Sequence, residues 1–148
     1  MSETYQPPSP PASDARGAKT SLGLESHVGA MLCYVANFLC CLGVILAVIF
    51  LVTEKENRFV KFHAVQSLLL AAVQIAIGIV IGILGVLLRL GLEMAGLSWL
   101  AFFMIFGLRI ILVLIFALFW IIAGVKAYGG QWYKLPVIGN FAWNTVNK

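Results

Sequence analysis

Residues 53–67 read TEKENRFVKFHAVQS and decide the fold, because they place the densest charge in the chain directly before a long apolar run. The charged residues of this stretch precede a segment that is almost wholly apolar as far as Leu88. Glu54 and Arg58 stand four residues apart, the spacing at which opposite charges face one another on a helix. The pattern predicts a charged helical segment at a membrane surface that leads into a hydrophobic helix.

The composition excludes an ordinary soluble domain. Of the 148 residues, 61% are hydrophobic and 11% are charged, whereas soluble domains carry about 25% charged residues. The formal net charge is +4, but the basic residues stand at the ends of apolar runs. We therefore expect the partner to be a lipid bilayer with anionic headgroups, and not nucleic acid.

The cysteines indicate neither a disulfide framework nor a metal site. Cys33, Cys40 and Cys41 all lie within one apolar run, without the spacing or the paired histidines of a metal site. Buried cysteines are usually inert apolar residues, so we interpret these as part of a packing face; the alternative is a redox or metal-binding cluster. No cofactor is predicted.

Three apolar runs predict an all-α integral membrane protein, a bundle of three transmembrane helices. At ~1.5 Å per residue, each run can cross a hydrocarbon core of about 30 Å. The predicted spans are residues 30–52, 64–88 and 99–125. They belong to one membrane domain, residues 21–143, which follows a disordered Pro-rich tail at 1–20. Residues 144–148 form a second short tail.

Five residues inside the spans are candidates for helix packing or for lining a polar path: Asn37, Gln74, Gly78, Gly82 and Arg109. The two glycines are four residues apart and permit close approach of a neighbouring helix, across which Gln74 can form a hydrogen bond. An arginine at the bilayer centre costs ~2.5 kcal/mol or more. Arg109 therefore either snorkels to the headgroups, with the crossing proper at residues 110–125, or faces the bundle and bonds to Gln74, Asn37 or Glu93.

The flanks predict a topology. With three spans, the 53–63 segment and the C-terminus share one side, which holds six Lys and Arg residues against three or four on the other. The positive-inside rule then places the C-terminus in the cytoplasm and the N-terminus outside. The expected location is a bacterial inner membrane, crossed several times.

Two motifs resemble those of a known family. Residues 54–67, EKENRFVKFHAVQS, and residues 126–139, KAYGGQWYKLPVIG, are similar to the signatures of small bacterial and archaeal membrane proteins of unknown function. That family resembles the twenty-kilodalton subunit of the chloroplast inner-envelope import translocon and includes the magnetosome proteins MamF and MmsF. Tyr34 and Phe38 in the first span add to the resemblance, which covers residues 22–143 and implies a helical membrane protein.

The candidate contact residues for lipid or a partner protein come from the two motifs. They are Arg58, Phe59, Lys61, Phe62, His63, Gln66, Trp132, Tyr133, Pro136 and Gly139. Aromatic residues of the C-terminal segment suit the membrane interface. The structural alternative is that the aromatic residues anchor the start of the second span, while His63 and Gln66 bond to the neighbouring C-terminal segment.

Three functional hypotheses follow. The favoured one is a non-enzymatic interaction or scaffold subunit with a basic cytoplasmic face, acting through a membrane-protein partner or as a homo-oligomer. The second is a channel-like or translocon-like component that lines a polar path. The third is a membrane enzyme, for which His63 lacks a paired carboxylate, serine or cysteine at a useful distance in sequence; no catalytic residue is predicted.

Overall fold

The computed structural model describes residues 17–38, 42–55 and 57–146, and in these the regular structure is helical. Five α-helices occur: α1 (Ser26–Val35), α2 (Leu42–Thr53), α3 (Arg58–Glu93), α4 (Ser98–Tyr128) and α5 (Ile138–Val146), with a 3₁₀ turn at Ala36–Phe38 after α1. Cys40, Cys41 and most of the predicted disordered tail lie outside the described residues. Residues 17–20, which were predicted as tail, form backbone hydrogen bonds with residues 23–26.

Helices α3 and α4 form a long antiparallel hairpin. The indole Nε1 of Trp120 donates to Gln74 Oε1 across it at 3.1 Å, and Ile105 packs against Gly85 nearer its closed end. Among the described residues, these two helices are long and apolar enough to cross a membrane, and only 11% of the most apolar 18-residue window of each is buried. The core helix of a soluble protein would bury most of that window. The second and third predicted spans correspond to these helices.

The first predicted span, residues 30–52, is not one helix in the structure. Helix α1 ends at Val35 and α2 begins at Leu42. The two are antiparallel, because Gly29 at the start of α1 lies beside Phe50 at the end of α2, while Gly43 lies beside Asn37 at the turn. At ~1.5 Å per residue they are about 15 and 18 Å long, half the thickness of a hydrocarbon core. We call this pair the short hairpin.

Local hydrogen bonding and the lack of a side chain at Gly43 explain the reversal. The Asn37 amide donates to the Cys33 carbonyl at 2.8 Å, which satisfies one of the carbonyls left open at the end of a helix. A Cβ atom at Gly43 would collide with the backbone and side chain of Asn37. The chain can therefore turn back tightly only with glycine at this position.

The short hairpin places both of its ends together, which contradicts the prediction that its two flanks lie on opposite sides. Ser21 N donates to the buried carboxylate of Glu54 at 2.9 Å, and the Asn57 amide donates to Ser26 Oγ. His27 stacks edge-on against Tyr128 at the end of α4, with ring centroids 5.3 Å apart. The described N-terminal segment and the C-terminal segment thus lie at the same end of the bundle.

Helix α3 begins later than the charge spacing predicted. Asn57 is its N-cap, and its side chain accepts a hydrogen bond from Val60 N at 3.2 Å. Glu54 lies before the cap and bonds to the N-terminal segment, so it does not form the expected helical pair with Arg58. Glu54 and Asn57 therefore belong to a connection that links the N-terminal segment and α1 to the start of α3.

The C-terminal segment folds back onto the start of α3 and ends in α5. Gly139 fits against the backbone of Lys134, where an added Cβ would lie 2.7 Å from Lys134 Cα. Ala142 and Trp143 of α5 pack with Phe62 and Val65 of α3 in a small apolar cluster. The half of the bundle next to this end therefore contains all five helices, whereas the other half contains α3 and α4.

Candidate functional site

A buried hydrogen-bond network joins the short hairpin, α3 and the C-terminal segment; we call Tyr34, His63 and Gln66 the anchor network. All three side chains are fully buried. His63 Nε2 lies 3.2 Å from the Gln131 carbonyl, and His63 Nδ1 lies 3.1 Å from the Tyr34 hydroxyl. Because a carbonyl can only accept, Nε2 carries the proton in the neutral ring, and Nδ1 accepts from Tyr34.

Gln66 completes the network. Its amide nitrogen donates to the Tyr34 hydroxyl at 3.0 Å and to the Tyr133 carbonyl at 3.1 Å. Its amide oxygen accepts from Leu135 N at 3.2 Å. The backbone donor and acceptor fix the orientation of the amide, because Leu135 N can only donate and the Tyr133 carbonyl can only accept. The prediction that His63 and Gln66 bond to the C-terminal segment is confirmed.

The network leaves neither ring nitrogen of His63 free to act as a general acid or base. Both ring nitrogens are engaged, and the ring is packed between Phe59 and Phe62 at centroid distances of 4.6 and 5.0 Å. A substrate would have to displace Tyr34 or the Gln131 carbonyl to reach a ring nitrogen. The arrangement holds segments together and excludes water, which is a structural use of the histidine.

An aromatic cluster of Phe59, Phe62, Trp132 and Trp143 lies next to the anchor network. Trp132 contacts both phenylalanines at about 5.3–5.4 Å, and Trp143 contacts Phe62 at 6.0 Å. The Lys134 ammonium lies over the Trp143 ring, 4.2 Å from its centroid. Aromatic rings and cations together are typical of the level at which a protein meets the membrane interface.

The structure separates the ten candidate contact residues into two groups. Phe59, Phe62, His63, Gln66 and Gly139 are buried inside the bundle and form internal contacts. The others remain exposed or half-buried and can meet lipid or a partner: Arg58, Lys61, Trp132, Tyr133 and Pro136.

Most described cations lie at this same end, which we call the basic end. Six of the eight described Lys and Arg side chains are there, all exposed or half-buried: Lys19, Lys55, Arg58, Lys61, Lys126 and Lys134. The remaining two, Arg89 and Arg109, lie along the other half of the α3–α4 hairpin. Charge is therefore strongly asymmetric along the bundle.

Four of the five residues predicted for packing or a polar path come together between α3 and α4. Gln74, Gly78, Gly82 and Arg109 line one groove of about 520 Å³. Asn37 lies apart from it, at the turn of the short hairpin. Arg109 is exposed, and its Nη2 atom lies 3.4 Å from where a Gly82 Cβ would be.

Sequence reasoning missed the roles of Tyr34 and Trp120. The sequence indicates Tyr34 only through the family resemblance, yet its hydroxyl connects His63 to Gln66. Trp120 binds Gln74 and packs edge-on against Tyr34 at 5.9 Å. The available signal was chemical: a tyrosine hydroxyl or an indole N–H within an apolar helix needs a partner when buried.

Comparisons with known proteins agree with the membrane character of these helices. The sequence matches the Magnetosome magnetite crystal formation protein family, MamF/MmsF, over residues 25–142. The chain belongs to this family. The matched region begins just before α1 and extends into α5, so it contains the anchor network, the aromatic cluster and the α3–α4 hairpin.

Relatives in two archaea extend the comparison. The chain is 37% identical over 124 residues to the UPF0132 membrane protein MJ1443 of Methanocaldococcus jannaschii, covering 84% of this chain and 91% of that protein. It is 30% identical over 122 residues to MJ1527 of the same organism, covering 82% and 71%. A UPF0132 membrane protein of Archaeoglobus fulgidus is 33% identical over 101 residues, covering 68% and 82%. No solved structure matches the chain.

These relatives establish the protein as a transmembrane protein of a family without an assigned function. The resemblance to the chloroplast import subunit is not shown by these matches and stays a prediction. In the described residues, no group of three or more His, Cys, Asp or Glu side chains could hold a metal ion.

Proposed function

We propose that this protein is a non-enzymatic interaction or scaffold subunit that presents its basic end to a partner at the cytoplasmic membrane surface. The observation that carries the proposal is that the buried polar groups and the exposed cations at that end have separate roles. The polar groups of the anchor network bond to one another and to the backbone, whereas six cations project from the same platform. A positively charged platform whose buried histidine has both ring nitrogens engaged suits binding better than chemistry.

The membrane arrangement proposed here has two crossings, α3 and α4. The short hairpin enters from the basic end and returns to it at about half the depth of the bilayer. Non-helical backbone at such a depth is tolerated where it is buried in protein. Ala36, which follows α1, is buried, and α1 packs against both α3 and α4. Among the described cations, six at one end against Arg89 and Arg109 elsewhere favour a cytoplasmic basic end, so that both described chain ends face the cytoplasm.

The test compares equal charge losses at the two ends. The full chain is purified from native membranes with its co-purifying proteins, alongside an Arg58→Gln/Lys61→Gln variant and an Arg89→Gln/Arg109→Gln variant. Retention of a specific partner should fall about tenfold in the first variant and change little in the second, because only the first reduces complementarity at the basic end. Equal retention in both variants would contradict the proposal, as would purification of the wild type without a partner.

A polar path between α3 and α4 is the second candidate, favoured by the groove that brings Gln74 and Arg109 together. It predicts that cysteines introduced at Gln74 and Gly78 react with a membrane-impermeant thiol reagent. Labelling at the background level at both positions removes this candidate. The scaffold proposal does not depend on water in the groove.

A further inference from the structure

The α3–α4 hairpin has a second groove, near its closed end, that contains the two described arginines lying outside the basic end. This groove has a volume of about 550 Å³, and its lining includes Gly82, Arg89, Trp99, Phe102, Ile105 and Arg109. We call it the outer groove. Its walls are apolar and aromatic, and the two guanidinium groups are its charged components among the described residues.

The arginines of the outer groove have no carboxylate partner in the described part of the chain. In the described residues, the contact with salt-bridge geometry joins His27 Nε2 to Glu25 Oε2 at 3.2 Å, at the opposite end of the molecule. No Asp or Glu is among the described lining residues. Both arginines are exposed, so an anionic group from outside the chain can reach them and form charge-assisted hydrogen bonds beside the apolar walls of the groove.

The depth of the groove indicates the kind of anion. The aromatic cluster marks the membrane interface at the level of Phe62. Gly82 lies 20 residues further along α3, which is about 30 Å, the thickness of the hydrocarbon core. The Arg109 guanidinium packs beside Gly82, and Arg89 lies about 10 Å further out along the helix. The space between them is at the level of the lipid phosphates in the opposite leaflet.

We propose that the outer groove binds one phospholipid of net negative charge from the leaflet opposite the basic end, with its phosphate between Arg89 and Arg109. Guanidinium groups form short, charge-assisted hydrogen bonds with phosphate oxygens. An acyl chain of this lipid lies against Phe102 and Ile105. It continues past Gly82 and Arg109, which the outer groove shares with the groove containing Gln74 and Gly78.

This site rests on the proposed crossing of the membrane by α3 and α4, but it lies at the other end of the hairpin and involves none of the basic-end residues. It also accounts for the small residues along this face of α3. Gly78 has open space around it, and Gly82 meets only the Arg109 guanidinium. These glycines therefore do not serve a close helix contact within the chain, and they leave room for a lipid.

The test measures lipid retention by the full chain in mild detergent, using native mass spectrometry with equal amounts of phosphatidylglycerol or phosphatidylcholine. The wild type should retain one tightly bound phosphatidylglycerol and little phosphatidylcholine. Arg109→Gln and Arg89→Gln should each weaken that retention about tenfold, the loss expected when a charge-assisted hydrogen bond is removed. Arg58→Gln, which removes the same charge from the basic end, should leave the tightest lipid in place.

A second variant separates the groove from its charge. Gly82→Leu preserves both arginines and helix formation but fills the groove, so it should also lower retention about tenfold. Equal weakening by Arg58→Gln and Arg109→Gln would overturn the proposal, because the binding would then be nonspecific. Unchanged retention in Gly82→Leu, equal binding of the two lipids, or a protein dimer in place of the bound lipid would each overturn it as well.

Discussion

The two halves of the α3–α4 hairpin differ in how they accommodate polar groups among apolar helices. In the half near the basic end, the short hairpin and α5 surround α3, and His63 and Gln66 are fully buried with every polar atom bonded. In the outer half, no other described helix packs on α3 and α4, and side chains such as Ile79 and Leu90 are more than half exposed. The first half is stabilised by contacts within the chain, whereas the outer half leaves its apolar side chains without such contacts.

This comparison explains why polar residues of the same kind have different roles in one helix. Gln66 and Gln74 are eight residues apart on α3. Gln66 bonds to a tyrosine hydroxyl and two backbone groups of the C-terminal segment, while Gln74 bonds to one indole of the neighbouring helix. The helix is continuous, but the number of segments packed around it decreases from one glutamine to the other.

The largest expected effect comes from Gln66→Leu, which retains the volume of the side chain but removes its hydrogen bonds. Leu135 N and the Tyr133 carbonyl lose their partner in a buried place, at about 1–3 kcal/mol for each unsatisfied group. We expect a loss of about 2–4 kcal/mol in the free energy of unfolding, measured by denaturant titration in detergent. Gln74→Leu is the matched control, with an expected loss of about 0.6–1 kcal/mol. Equal losses would show that the two halves do not differ.

A glycine pair tests the turn of the short hairpin. Gly43→Ala would place a methyl group against Asn37, and we expect it to destabilise the protein by about 1–3 kcal/mol, the cost of overpacking. Gly78→Ala meets no atom within 4 Å and should stabilise the protein by up to about 1 kcal/mol, because alanine is the better helix former. Thermal unfolding followed by circular dichroism measures both. Shifts of the same sign would contradict the close approach at Gly43.

The smallest expected effect concerns Val137, whose φ of 68° lies in the left-handed region, where a β-branched residue is strained. Val137→Gly should relieve a strain of about 1–2 kcal/mol and lose about 0.5–1 kcal/mol through greater freedom of the unfolded chain. The net result is a gain of about 0.5 kcal/mol. In the outer half, Val113→Gly in the regular helix α4 should instead destabilise the protein. A loss of stability in Val137→Gly would rule out the strained turn.

The long helices could be predicted from the sequence because their apolar runs exceed the length needed to cross a bilayer. The contact of His63 and Gln66 with the C-terminal segment was also predictable, since both motifs were expected on one side. The short hairpin was not, because residues 30–52 contain no charge and no proline and are as long as a true span. The signals that reverse the chain, Asn37 and Gly43, act through contact with each other, which periodicity does not reveal.

The prediction of one straight span over residues 30–52 also left the role of Tyr34 unpredicted. If residues 30–52 formed one straight helix, nothing in the sequence would indicate a contact between Tyr34 and His63. Once the chain turns back, α1 packs between α3 and α4, and the Tyr34 hydroxyl reaches both His63 and Gln66. The topology and the anchor network therefore depend on one local reversal.

The central claim, two crossings with a half-depth hairpin, is tested most directly by labelling. In a chain whose native cysteines are replaced by serine, the exposed positions of Lys19→Cys, Lys134→Cys and Met94→Cys are treated with an impermeant maleimide in sealed inverted and right-side-out vesicles. The structure predicts that positions 19 and 134 react from the same side and position 94 from the other. Reaction of position 19 from the same side as position 94 would restore three crossings and contradict the account.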